Sequence, residues 1–184
     1  MHISQGIIIA MLFLSSLTIL EYIIVVLFPF IIDLDFLLSK FAKNHNHRRL
    51  ITHSIIPYLC LLIIGIFFPL ILILGICGVV HILSDALDWG TALFSPFYKE
   101  PLGGILPHPP KEIVEITNYR KRQCWFATTY YKSKVLLFLE IIFGILAILL
   151  IVIIDSSYLW ITLFYFLFVA FQVHLNIQCR KLNF

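Results

Sequence analysis

His81, Asp85 and Asp88 interrupt an otherwise apolar stretch, GVVHILSDALDWG. If this stretch is helical, offsets of four and three residues set the three side chains on one stripe. An imidazole and two carboxylates in line form a donor set for a divalent cation such as Zn, Mn or Mg. Ionisable groups inside an apolar segment are costly. A ligand site explains three of them on one stripe better than a polar contact between helices does.

Two further groups carry chemistry. Asp33-Leu34-Asp35 closes the first apolar run. Residues two apart point to opposite sides of a helix and to the same side of an extended chain. A carboxylate pair acting together here therefore implies a non-helical turn, and the alternative is a plain end to the apolar segment. The second group is HNHRRLITHS, with His45, His47, Arg48, Arg49, Thr52 and His53. Its arginines suit an anionic group held by paired hydrogen bonds. Thr52 or Ser54 is expected to cap the following helix, with Pro57 tolerated in its first turn.

These residues need elements to hold them. The chain has 184 residues, 61% hydrophobic and only 12% charged, with mean hydropathy +1.00. Soluble domains average about 25% charged residues. The composition excludes a disordered chain and points to a membrane. Spans must close their own backbone hydrogen bonds, and the continuous apolar runs lack strand-like alternation, so the fold class expected is all-α. Candidate spans are 6–32, 52–68, 70–90, 134–154 and 158–178. The first is either one tilted helix or a re-entrant hairpin turning near Ser15-Ser16-Leu17-Thr18. The chain reads as one helical membrane domain, 1–184. It comprises a motif-bearing half (1–100), a loop (101–133) and a C-terminal helical hairpin (134–184). Pro101 to Pro110 reads as irregular loop.

Every Lys and Arg falls in 33–50, in 95–134 or at the C-terminus. Five spans put all three regions on one face, which the positive-inside tendency makes cytoplasmic. The expected location is a plasma or inner membrane, crossed several times. Cys60, Cys77, Cys124 and Cys179 show no metal-type spacing and are expected to be buried thiols without a disulfide framework. The N-terminus lacks a basic patch, so no cleaved signal peptide is expected. Glu140 is expected either to support the site or to pair with a nearby lysine. No glycine-rich phosphate loop, Gly-x-Ser-x-Gly elbow or HExxH occurs, and no aromatic-basic pattern suggests nucleic acid.

The order of the three groups resembles the membrane-bound metal-dependent hydrolases, a family that includes DNA-damage-inducible inner-membrane hydrolases. The residues concerned are Asp33-Leu34-Asp35, then His47 to Ser54, then His81 to Gly90, closing with Phe94-Ser95-Pro96. The likeness covers residues 1–100. One extra residue separates arginine from threonine relative to the commonest family spelling, so either Arg48 or Arg49 matches the family arginine. The family carries a further N-terminal histidine, for which His2 is the candidate.

The resemblance implies one or two divalent ions held by Asp33, Asp35, His53, His81 and Asp85, with His2 in addition. Asp88 or His47 is expected as base or orienting group, and Arg48 or Arg49 as holder of an anionic group. The expected function is hydrolysis at the cytoplasmic interface, on a phosphoester of a lipid or other membrane-borne substrate. The rival readings are a metal or proton transporter and a scaffold with a structural metal. The expected partners are the bilayer and that substrate, with no nucleic acid; oligomeric state is left open.

Overall fold

Thr18 starts a helix in the middle of the first apolar run. Its hydroxyl accepts from the Glu21 N–H at 3.4 Å, and the Glu21 carboxylate accepts from the Thr18 N–H at 2.8 Å. This reciprocal cap satisfies backbone donors that a continuous helix would have paired internally. The computed structural model describes residues 1–41, 47–98, 100–110, 112–113 and 119–181. In it the run forms two helices, α1 (His2–Leu12) and α2 (Ile19–Asp33). They pack antiparallel. The Tyr22 hydroxyl donates to Met11 Sδ at 3.3 Å, and Gly6 lies so close to the Val26 carbonyl that a Cβ would overlap it.

The second pair is α3 (Ile56–Gly65) and α4 (Pro69–Asp88). Pro57 lies in the first turn of α3, and Pro69 opens α4 after a break at Phe67 and Phe68. These helices are also antiparallel, with Gly65 against Leu72, Gly75 against Leu62 and Gly78 under the Tyr58 ring. Small residues on that seam let the backbones approach. Helix α4 also touches α1 and α2, and the Gln5 amide donates to Ser84 Oγ at 2.6 Å. These four helices and their connections make one compact unit, Met1–Ile105, with α4 in contact with the other three.

Gly90, at φ +77°, turns the chain out of α4. Leu102 then pairs with Thr91, and the Ile105 N–H donates to the Leu87 carbonyl at 2.8 Å. The segment thus folds back over the end of α4. Gly103 has φ +80°, and any Cβ there would meet the Ala86 carbonyl. Apart from the single bridge, 101–110 is irregular, and the described residues are helical with no strand.

The second unit, Leu106–Phe184, contains α5 (Tyr119–Tyr130), α6 (Lys134–Ile154) and α7 (Ile161–Lys181). The Ser133 hydroxyl caps α6, and Asp155 accepts from the Ser157 N–H at 3.0 Å in the turn before α7. Glu140 accepts from the Tyr130 hydroxyl at 2.8 Å.

Several expectations are corrected. Among the described residues, three helices are long and apolar enough to cross a membrane: Pro69–Asp88, Lys134–Ile154 and Ser156–Lys181. The expected span 52–68 yields a ten-residue helix, because 3-10 turns and Pro57 delay its start. Neither Thr52 nor Ser54 caps α3; their hydroxyls donate to Asp35 and to the Ile51 carbonyl. Cys124 and Cys179 form a disulfide joining α5 to α7, and only Cys60 and Cys77 are free thiols. A pairing across 55 residues leaves no trace in local spacing. Lys43, His45, Lys99 and Lys111 lie outside the described residues.

Candidate metal centre

The helix α4 presents His81 and Asp85 one turn apart, both fully buried, facing the end of α2. Helix α2 ends at Asp33, and a 3-10 stretch, Leu34–Phe41, takes over. That change of pitch separates the two acids. Asp33 turns toward α4, whereas Asp35 turns toward the segment 51–53.

His53 comes from a short 3-10 turn, Ile51–His53, held by backbone contacts. The Thr91 hydroxyl donates to the carbonyls of Arg48 and His53 at 3.0 and 2.9 Å. The Ala92 N–H donates to the Arg48 carbonyl and the Ile55 N–H to the Leu93 carbonyl, each at 3.0 Å. The chain leaving α4 therefore fixes the chain entering α3, and His53 is pressed between them.

One ligand atom from each of Asp33, His53, His81 and Asp85 lies within 4.8 Å of the others. His81 Nε2 is 3.5 Å from Asp33 Oδ1 and 3.7 Å from Asp85 Oδ2, and His53 Nε2 is 3.9 Å from Asp33 Oδ1. Two ligands on one tetrahedral ion sit about 3.4 Å apart. Those three separations fit. The fourth, His53 Nε2 to Asp85 Oδ2, is a hydrogen bond at 2.6 Å and would have to open by roughly 0.8 Å. Both ring nitrogens of His81 are buried without a hydrogen-bond partner among the described residues. Such atoms are costly unless something accepts or donates there, and a cation at Nε2 would answer one of them. The cluster could hold a metal ion.

A second group shares His53. Atoms of Asp35, His47 and His53 also lie within 4.8 Å of one another. His53 Nδ1 is 2.9 Å from Asp35 Oδ2, which also accepts from the Thr52 hydroxyl at 2.6 Å. Burial raises the Asp35 pKa, but these bonds from His53 and Thr52 outweigh it and hold the carboxylate below its ordinary value. For His53 burial acts against the charge, yet the bonds to Asp35 and Asp85 push its pKa up to about 9. His47 goes the other way. Burial, then the charges of His53 and Arg48, bring it down to about 3, so its ring is neutral.

The remaining expected residues stand around this core. His2 Nε2 is 3.4 Å from Asp85 Oδ1, and its ring centroid is 4.3 Å from that of His81. Asp88 is not among the four clustered ligands; Arg48 Nη1 donates to its Oδ1 at 2.6 Å. Arg48 Nη2 donates to Asp85 Oδ1 at 3.2 Å. Arg49 turns to Glu100, 3.6 Å away. Gln5, Ser84 and Thr91 also support the site, and no spacing in the sequence marks them. They are polar residues within or beside apolar runs, which was the available signal.

Comparison with protein-family models, with curated proteins and with solved structures found no match.

Proposed function

We propose that the chain is a membrane-embedded metal-dependent hydrolase holding one divalent ion between Asp33, His53, His81 and Asp85. The observation that carries this reading is the convergence of these four residues, from three separate segments, within 4.8 Å. His53, His81 and Asp85 are fully buried, whereas the Asp33 side chain is 31% exposed. Catalytic sites keep one open position, while structural sites are closed on all sides. That one-sided access favours a catalytic ion over a structural staple.

The ion would supply a Lewis acid and a more acidic water. The chain's own residues do the rest. Asp35 orients His53 through Nδ1, the arrangement by which a carboxylate fixes the tautomer of a ligating histidine. Arg48 bridges Asp85 and Asp88 and offsets part of their charge in an apolar surround. Neutral His47 lies with its ring centroid 4.9 Å from that of His53. The substrate class is a phosphoester borne by a lipid or another membrane-associated molecule. It approaches at the cytoplasmic interface, with α1 and α2 as a re-entrant hairpin. The apolar helices around the site, and a residue order that resembles that of membrane hydrolases, support that class.

Metal content by mass spectrometry on purified protein, together with turnover of phospholipids and phosphate esters, tests the proposal. About one ion per chain is expected, and Asp85→Asn should lose both ion and turnover. Wild type free of metal, or turnover indifferent to Asp85→Asn, overturns it. Metal flux into proteoliposomes without turnover would favour a transporter instead.

A further inference from the structure

Arg48 and Arg49 are adjacent in one turn but meet different surroundings. Arg48 spends its fork on Asp85 and Asp88. The Arg49 fork is not spent. Its side chain is only 14% exposed, and Nε and Nη1 are buried with no hydrogen-bond partner among the described residues. Nη2 is 3.6 Å from Glu100 Oε2, an ion-pair distance too long for a hydrogen bond. The backbone of Arg49 is pinned, since its carbonyl accepts from the Ser95 hydroxyl at 3.3 Å. A guanidinium sunk this far with idle donors is costly in the absence of an acceptor.

Nε and Nη1 lie on different edges of the planar fork. Each two-donor edge, Nε with Nη2 and Nη1 with Nη2, therefore offers a donor that no described residue fills. Glu100 is 57% exposed and approaches Nη2 at ion-pair distance. It is placed as a carboxylate that a stronger anion can displace. A phosphoryl dianion carries more charge than Glu100 and brings two oxygens to one edge, the geometry arginine favours.

We infer that Arg49 is the anchor for a phosphoryl oxyanion, that Glu100 competes with that anion, and that Arg48 takes no part in holding it. The inference deepens the hydrolase reading and rests on it only for what becomes of the bound phosphoryl group. Binding of the anion requires no metal.

Isothermal titration of the full chain in detergent tests this, with inorganic phosphate in one arm and dihexanoyl phosphatidic acid in the other. Both arms are run on chelator-treated and on metal-loaded protein. Binding in at least one arm is expected with or without metal, and the preferred arm separates free phosphate from a lipid headgroup. Arg49→Gln should weaken it about tenfold or more, the worth of a charged hydrogen bond. Glu100→Gln should tighten it by about threefold, the effect of removing one exposed competing charge.

No binding in either arm, or an affinity unmoved by Arg49→Gln, overturns the inference. Should Arg49→Gln fail to fold, Glu100→Gln decides, and weaker or unchanged binding there overturns it. Phosphate binding to metal-free protein bears on Arg49 alone. Metal content of the same samples bears on the hydrolase reading alone.

Discussion

Nε2 of His53 lies 2.6 Å from Oδ2 of Asp85, although 32 residues separate them in the chain. With Nδ1 engaged by Asp35, one imidazole ties the 3-10 stretch after α2 and the turn before α3 to the last turn of α4. The stability of this region and its readiness for a cation both pass through that ring.

Asp35 is expected to act through His53 rather than as a ligand of the ion itself. Asp35→Asn should weaken metal affinity by about 10–100-fold, as loss of an orienting partner does, and leave one ion per chain. Competition with a metal indicator dye reads the affinity. A fall from two ions to one would instead assign Asp35, His47 and His53 to a second ion.

Without metal, the raised pKa of His53 means that the folded chain holds this proton more tightly than the unfolded chain does. Its contribution to stability is present in full below about pH 6.5 and is lost as the pH rises through about 9. Melting of chelator-treated protein should fall across that interval, and Asp35→Asn should flatten the fall. Metal must displace the same proton, so apparent metal affinity should climb over the same range.

Arg48 is 14% exposed, while Asp85 and Asp88 are 0% and 5% exposed. Arg48→Ala leaves two buried carboxylates without their cation and should cost about 3–5 kcal/mol. Denaturant titration in mixed micelles measures this, and a loss near zero would contradict the pairing. Arg48→Lys should rescue only part, because a point charge cannot serve both acids as a fork does.

The Tyr58 ring lies on Gly78, and its hydroxyl donates to the Thr52 carbonyl at 2.7 Å. Gly78→Ala should displace the ring and destabilise the unit by about 1–3 kcal/mol. Because Thr52 also bonds Asp35, metal affinity should fall with it. Stability and metal affinity measured on one sample would show whether the two effects travel together.

Alkylation in denaturant without reductant should label Cys60 and Cys77 only, and reduction should expose Cys124 and Cys179 as well. Peptide mass mapping reads the difference. Four labelled cysteines before reduction would remove the link between α5 and α7.

The sequence by itself determined what depends on neighbours along the chain. The long apolar runs make the described residues helical, and the four-residue step from His81 to Asp85 puts both on one face of α4. These follow from the pitch of a helix and from side-chain hydropathy, which need no partner segment. The break in the first run was legible only as one of two readings, because Ser15, Ser16 and Thr18 can sit in a helix unless a cap competes. Tertiary structure alone decided the rest. The split of Asp33 and Asp35 to opposite sides of His53, the division of labour between Arg48 and Arg49, the shortness of α3 and the union of Cys124 with Cys179 all depend on how distant segments pack. Packing is a property of the whole unit, set by close approaches such as Gly6 on Val26 and Tyr58 on Gly78, and no local pattern encodes it.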